Sequence, residues 1–315
     1  IQSVAIPCTG KLQCRMLEKL ITRLDDHPIL GQSLGHVSLL RLDQMGGLAP
    51  GNKVFKLRAN LELARSQGLG RLVSFGGAWS NHLHALAAVA HENGLESVGL
   101  VRGGERETPM LEEARSWGMK IVRMSREDYR RRNDSRYLEK ITREYQPCML
   151  IPEGGANREG IRGCTEIARL IKKAGPGFNR SVLPVGTGTT LAGIVAGLGA
   201  GHEVVGISAL KGAFDLERRV DSALKQVGSE DCADWQILHG FHCGGFARVS
   251  PELREFILAF EKVHGVPLDP VYTGKMLLAI HQKAVVGEWD TRQPLLAIHT
   301  GGLQGRRGFD WLTPC

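Results

Sequence analysis

The chain has 315 residues, 42% of them hydrophobic and 23% charged, which gives one large or two medium domains with buried cores and excludes a disordered or fibrous chain. Its formal net charge is +7, yet the densest basic run, Arg126 to Lys140, also holds Glu127, Asp128, Asp134 and Glu139, so it reads as a solvated helix face rather than a nucleic-acid patch. Seven scattered cysteines with no C-x-x-C pair argue against a disulfide framework or a zinc site and for free thiols in a reducing compartment.

The N-terminus lacks a signal-like apolar core and no window approaches a membrane span, so the expected location is the cytoplasm, with no membrane partner. The chain opens on Ile1 rather than Met, and a few residues are expected to be missing. Residues 1 to 35 are polar and mixed, with a helical pattern around Met16 to Leu24. His36 to Leu42 reads as a strand, and Asp43 to Gly47 as the loop after it. Gly47 to Leu57 then sets Lys53 and Lys56 directly after a Pro50-Gly51-Asn52 turn, at the head of a helix with apolar positions Leu57, Leu61 and Leu63. Helix entrances favour anions, so lysines there call for a reason. Either they are surface lysines after a loop, or an amine forms a Schiff base with a carbonyl cofactor or sits beside a bound phosphate.

An alternation of strands and helices follows. Strands are expected at Arg71 to Phe75, Val98 to Val101, Lys120 to Met124 and Met149 to Pro152. Between them lie an Ala-rich helix after Ser80-Asn81, a helix opened by Thr108-Pro109, and one capped by Ser125 that runs to about Tyr145. This spacing implies a parallel sheet covered on both faces, and residues 52 to 160 are compact enough to form one small domain. A second series comprises a helix from Gly160 to Ala174 with Ile161, Cys164, Ile167 and Ile171 on one face, strands Ser181 to Val185 and Glu203 to Ser208, and helices Leu191 to Leu198 and Gly212 to Val227. An irregular segment around Trp235 to Val249 precedes helices from Pro251 to His264 and on to about Val286, and strand Leu295 to His299. Two α/β layers with facing glycine-rich loops suit a ligand held between them.

The loop Gly186-Thr187-Gly188-Thr189-Thr190 stands between strand and helix. Its glycines turn backbone N–H groups inward and its threonines add hydroxyls, a cup for one phosphate. Leu191 breaks the dinucleotide fingerprint, and no Gly-Lys-Ser/Thr follows to make a P-loop. A plain βα turn is the alternative. Ser80-Asn81 is read either as ordinary capping or as a group for an anionic substrate and a cofactor oxygen. His82 and His84, at i and i+2, suit packing or cleft lining better than a metal, and no metal is expected. His242-Cys243 reads poorly as a nucleophile pair, because adjacent side chains point apart.

Six segments in order resemble one family: Gly51 to Leu57, Ser74 to His82, Ile151 to Asn157, Gly186 to Thr190, Asp269 to Lys275 and His299 to Gly302. They are similar to the pyridoxal-phosphate enzymes of the tryptophan-synthase-β type (fold type II), specifically the 1-aminocyclopropane-1-carboxylate deaminases and D-cysteine desulfhydrases. The resemblance implies two open twisted parallel-sheet α/β domains with helices on both faces and pyridoxal 5'-phosphate in the cleft between them. Residues 1–51 plus 161–315 would form the large cofactor-binding domain and 52–160 the small one. Lys53 resembles the Schiff-base lysine, with Lys56 near the phosphate and Gly186, Thr187, Gly188, Thr189 and Thr190 around it. Asn81 would hold the cofactor's phenolic oxygen, and Ser80, with Asn81 and His82, the substrate. Tyr272 would act on the substrate, and Thr273 falls where the pyridine nitrogen is met. The deaminases resemble an acidic version of that position and the desulfhydrases the threonine version, so Thr273 leans toward β-elimination. Phe246, expected against the substrate, stands where the family usually has a tyrosine, and His84 replaces a customary arginine. The expected activity is a lyase on a small amino acid, D-cysteine first and 1-aminocyclopropane-1-carboxylate second, in a homodimer without a nucleic-acid partner. Racemisation, β-replacement and a cofactor-binding protein with little turnover are the alternatives.

Overall fold

The computed structural model describes residues 19–104, 106–175, 177–229, 231–290 and 292–312. Cys8, Cys14, Cys315 and the start of the helical pattern expected from Met16 lie outside them. In chain order the strands are β1 (Ile21–Arg23), β2 (Val37–Arg41), β3 (Arg71–Gly77), β4 (Glu96–Arg102), β5 (Met119–Met124), β6 (Met149–Ile151), β7 (Arg180–Val185), β8 (Glu203–Ser208), β9 (Asp234–Leu238) and β10 (Leu295–His299). The helices are α1 (Asn52–Ser66), α2 (Asn81–Glu92), α3 (Pro109–Ser116), α4 (Arg126–Arg130), α5 (Ser135–Tyr145), α6 (Arg158–Ala174), α7 (Thr189–Leu198), α8 (Leu216–Val227), α9 (Pro251–His264) and α10 (Thr273–Val285).

The strands form two sheets, one in the order β1-β2-β10-β7-β8-β9 and one in the order β5-β4-β3-β6. Every pairing is parallel except β1 with β2. Each sheet is buried on both faces, as parallel sheets require. Ile161, Cys164, Ile167 and Ile171 of α6 pack with α7 and α8 on one face of the larger sheet, and α9 and α10 cover the other. On the smaller sheet, α2 and α3 cover one face, and Tyr129, Tyr137, Ile141 and Tyr145 the other.

Three expectations are corrected. Ile21 to Arg23 is a strand and not part of a helix, because it pairs with β2 as an antiparallel edge. Asp234 to Leu238, expected to be irregular, is the opposite edge, paired with β8. A strand this short is decided by its partner rather than by its own sequence. The single helix expected after Ser125 is two, since the Asp134 side chain accepts from Tyr137 N–H and starts α5 afresh.

Helix α1 belongs to both cores. Phe55 enters the core of the larger sheet, while Leu57, Leu61 and Ala64 enter that of the smaller; Leu63, expected among them, is half-buried. Gly163 of α6 is what lets α1 come this close: a Cβ there would lie 1.9 Å from Phe55 O. A Cβ on Gly193 of α7 would likewise lie 2.3 Å from Cys164 Cβ. These two contacts set the start of α1 and the start of α7 against α6. Gly163→Ala forces α1 off α6 and is expected to cost about 1–3 kcal/mol as an overpacked site, seen as a lower urea midpoint. An unchanged midpoint would show that the helices separate freely.

Candidate active site

The turn into α1 is pinned by backbone. Gly51 forms an antiparallel bridge with Gly301, and Asn52 N–H donates to Thr300 O at 3.0 Å. Gly51 has φ +127°, and a Cβ there would lie 2.6 Å from Thr300 O, so glycine is required twice over. The Asn52 side-chain amide then ties α1 to α7. Its Nδ2 donates to Thr190 Oγ1 at 3.0 Å, and its Oδ1 accepts from Lys53 Nζ at 2.9 Å.

Burial, with the charge of Lys56 second, pushes the Lys53 amine down to about 7. Lys56 is buried and its Nζ donates to Gly154 O at 3.0 Å; burial lowers its pKa as well. Among the described residues neither lysine pairs with a carboxylate. A buried and a half-buried amine without a counter-ion make a site for an anion, and one amine is substantially neutral near pH 7, which is what a nucleophilic lysine needs.

The cup stands opposite. Gly188 takes φ +85° at the N-cap of α7, and no side chain caps that helix, so its first N–H groups face outward with the positive end of the helix dipole. Thr187 Oγ1 and Thr189 Oγ1 are 3.0 Å apart. The turn Glu153-Gly154-Gly155 closes one side: a Cβ on Gly154 would lie 2.8 Å from Thr187 Cγ2, which also brings Lys56 to this edge. Tyr272 closes another, since a Cβ on Gly186 would lie 3.3 Å from its hydroxyl.

Ser80 caps α2, its Oγ accepting from Leu83 N–H at 3.2 Å; the hydroxyl proton remains available to a ligand. Asn81 Oδ1 accepts from Gln304 Nε2 at 2.9 Å, and its Nδ2 lies against Gly302. His82 is buried, with Nε2 2.9 Å from Ser74 Oγ. Because the Ser74 hydroxyl donates to Ile151 O at 2.7 Å, Nε2 carries the ring proton and Nδ1 keeps a lone pair. That Nδ1 is buried with no partner among the described residues. Burial first, then Lys53 and Lys56, push the His82 pKa down to about 3, so the ring is neutral. His84 is engaged elsewhere, bonded to Glu113 at 2.8 Å.

Thr273, expected at the pyridine nitrogen, has its hydroxyl committed on both sides. It donates to Asp269 Oδ2 and accepts from Asp269 N–H, both at 2.9 Å. The Asp269 carboxylate also accepts from Val271, Tyr272 and Thr273 N–H, capping α10. Asp269 is buried, and burial raises its pKa against those hydrogen bonds. Burial, Asp269 and Glu153 raise the Tyr272 phenol, which stays protonated. Phe246 meets the ring of Tyr272 edge-on at 6.2 Å but is 51% exposed, so it stands at the outer side of Tyr272.

Sequence reasoning gave no role to Asn52, Asp269, Gln304 or the pair Asp43–His299. Only Asp269 had a readable signal, as a helix-capping acid ahead of Thr273. His299 Nδ1 lies 2.9 Å from Asp43 Oδ1 and its Nε2 2.9 Å from Pro267 O. The same Nδ1 lies 3.4 Å from Gly301 N, so the ring joins β10 to the Asp43 loop and to the turn that follows the strand. Arg41 binds the same carboxylate through Nε and Nη2. Burial works to raise Asp43, but His299 and Arg41 hold it at about 2.

This geometry agrees with the comparison to known proteins. Residues 18–301 match the family model described as pyridoxal-phosphate dependent enzyme. The chain belongs to that family. Its cofactor is pyridoxal phosphate. It is 29% identical over 303 residues to a putative 1-aminocyclopropane-1-carboxylate deaminase of Pyrococcus abyssi, covering 88% of each chain. It is 26% identical over 308 residues to the D-cysteine desulfhydrase of Klebsiella pneumoniae, covering 89% of this chain and 91% of that one. A crystal structure of an ACC deaminase homologue superimposes with a TM-score of 0.76 at 24% identity, over 93% of this chain and 95% of the other, which shows the fold. The residues fit the cofactor: an uncapped helix start for the phosphate and a partly neutral lysine for the aldehyde.

Two outcomes are expected. In the cofactor-free protein, competitive acetylation of Lys53 read by peptide mass spectrometry should titrate with a midpoint near pH 7, since its pKa is lowered to about 7 from 10.5; a midpoint near 10.5 would contradict the burial argument. Asp43→Asn leaves Arg41 buried without its anion and should cost about 3–5 kcal/mol at pH 7. Because the folded pKa of Asp43 is depressed, that stability is present above 3.8 and lost as pH falls toward about 2. Urea midpoints across that range should show the gap between wild type and variant closing; a gap independent of pH would refute the ion-pair account.

Proposed function

We propose that the protein is a pyridoxal-phosphate lyase acting on a small amino acid, with D-cysteine as substrate, in the sense D-cysteine plus water to pyruvate, ammonia and sulfide. The observation that carries the reading is Lys53: a half-buried amine with a pKa of about 7, held by Asn52 beside an uncapped helix start. When bound, the cofactor supplies an aldehyde for a primary amine and an electron sink for negative charge at the α carbon.

Each residue then has a task. The part-neutral Lys53 Nζ attaches the cofactor and, once freed, takes and returns the proton at the substrate's α or β carbon. Asn52 Oδ1 fixes where Nζ waits. Gly186 to Thr190 and Lys56 hold the phosphate. The Ser80 hydroxyl and the first N–H groups of α2 bind the substrate carboxylate, and Asn81 the cofactor's phenolic oxygen. Neutral His82 presents Nδ1 as an acceptor, and the protonated Tyr272 is a donor against the substrate. Position 273 favours elimination. Its hydroxyl proton is spent on Asp269, so it brings none to the ring nitrogen. A weaker electron sink suits loss of a β substituent better than opening of a cyclopropane. Phe246 in place of the usual tyrosine points the same way, because it has no hydroxyl to assist ring opening.

The reading includes a homodimer in the cytoplasm. The described cysteines Cys148, Cys164, Cys232 and Cys243 are free thiols, consistent with a reducing compartment, and among the described residues no helix is long and apolar enough to cross a membrane. Purified holoenzyme should release sulfide and pyruvate from D-cysteine faster than it releases 2-oxobutanoate from 1-aminocyclopropane-1-carboxylate. Lys53→Ala should lose the absorbance of lysine-bound pyridoxal and about a thousandfold or more in turnover. Release of neither product by a fully loaded enzyme would sink the proposal, and faster turnover of the cyclopropane acid would reverse the substrate order.

A further inference from the structure

The carboxyl ends of the smaller sheet form a second basic cavity, lined by none of the residues of the α7 cup. Gly77, Arg102 and Met124 lie side by side at the ends of β3, β4 and β5, and the loops that follow enclose about 590 Å³. That is the size of a small-ligand site, at the place where open α/β sheets bind ligands. The floor is glycine. Gly77, Gly103 and Gly104 line it, and a Cβ on any of them would meet nothing within 4 Å, so the space above their backbone is open.

The walls carry Arg102, Arg106, Arg126, Arg130 and Arg132, with Tyr129. Arg132 is spoken for: its Nε donates to Glu153 at 2.6 Å. Of the acids in the β4 loop, Glu107 binds Arg115 and Arg123, and Glu105 lies outside the described residues. Among the described residues the other four arginines of the cavity have no ion pair, and Arg102 makes only a cation–π contact with Tyr129, 5.6 Å from the ring centroid. These four side chains are exposed and line one open concavity, so their charges add to a positive field there that an anion would meet. Guanidinium forks suit phosphate in particular. The sequence hid this, because the acids interleaved with Arg126 to Lys140 point away from the cavity lining, which takes only Arg126, Tyr129, Arg130 and Arg132 from that run.

We propose that this cavity binds a small phosphate-bearing molecule, in addition to the cofactor and at a separate place. Its wall includes Ala78 and Trp79, immediately ahead of Ser80 and Asn81, so the bound phosphate is either the far end of an extended substrate or part of an effector that presses on the start of α2.

The test uses holoenzyme and inorganic pyrophosphate, followed by titration calorimetry. Saturable binding at one site per chain is expected, weakened about tenfold for each arginine removed in Arg102→Gln, Arg130→Gln and, as an independent pair, Arg106→Gln/Arg126→Gln. Absorbance of the bound cofactor and the thermal midpoint should not change in these variants. Competition between pyrophosphate and the amino-acid substrate would make the phosphate part of the substrate, and binding without competition would make it an effector; both support the site. The proposal is overturned by absence of saturable binding, by binding that the variants leave unchanged, by binding seen only after cofactor removal, which would place the anion in the α7 cup, or by an oligonucleotide binding far more tightly than pyrophosphate, which would make the patch a nucleic-acid surface.

Discussion

At the mouth of α1 stand a buried lysine, Lys56, and a half-buried one, Lys53, with only a backbone carbonyl and an amide oxygen as hydrogen-bond partners among the described residues. A buried cation without a counter-ion is costly, and much of the surrounding structure follows from that cost. The amines respond by giving up protons more easily, which turns Lys53 into a nucleophile. The α7 helix start, left without a capping side chain, offers the place where an anion offsets both charges. A carboxylate beside Lys53 would have stabilised the empty protein and kept the amine protonated at neutral pH.

The mouth of α1 keeps its place because it is tied to both sheets. Gly51 and Gly301 touch through backbone, Asn52 joins Thr300 to Thr190, and Gly163 brings α6 against α1. A second buried cluster, Arg41–Asp43–His299, fixes the end of β10 from which Thr300 and Gly301 follow. Lys53, the uncapped start of α7 and the start of α2 therefore rest on rigid elements, which is how a site holds its geometry. The smaller sheet contributes Ser80, Asn81 and His82 at the start of α2, and the loop ahead of them supplies Ala78 and Trp79 to the basic cavity.

The interior strands were largely legible. Long apolar or β-branched runs at Val37–Arg41, Arg180–Val185, Glu203–Ser208 and Leu295–His299 appear where expected, because a strand buried on both faces must be apolar throughout. The edges were not. Ile21–Arg23 and Asp234–Leu238 take strand form only because β2 and β8 offer them partners. In the site, glycine and threonine at the start of α7 were readable from spacing, whereas the use of Thr273 was not. Its hydroxyl is spent on a carboxylate four residues earlier, and nothing in the residue type says which of its neighbours will claim it.

By itself the sequence determined the kind of chemistry. A lysine after Gly-Asn, a Gly-Thr-Gly-Thr-Thr turn and a Ser-Asn helix start are local features whose donors and backbone freedom do not depend on distant partners. Tertiary structure alone decided the charges. Whether Lys53 is an ordinary ammonium or an amine titrating near 7, whether His82 is neutral, and whether Asp43 is held ionised by its partners all depend on burial and on residues brought together by the fold. Protonation is set by the surroundings of a group and not by its identity, and those surroundings exist only once both sheets have closed around α1.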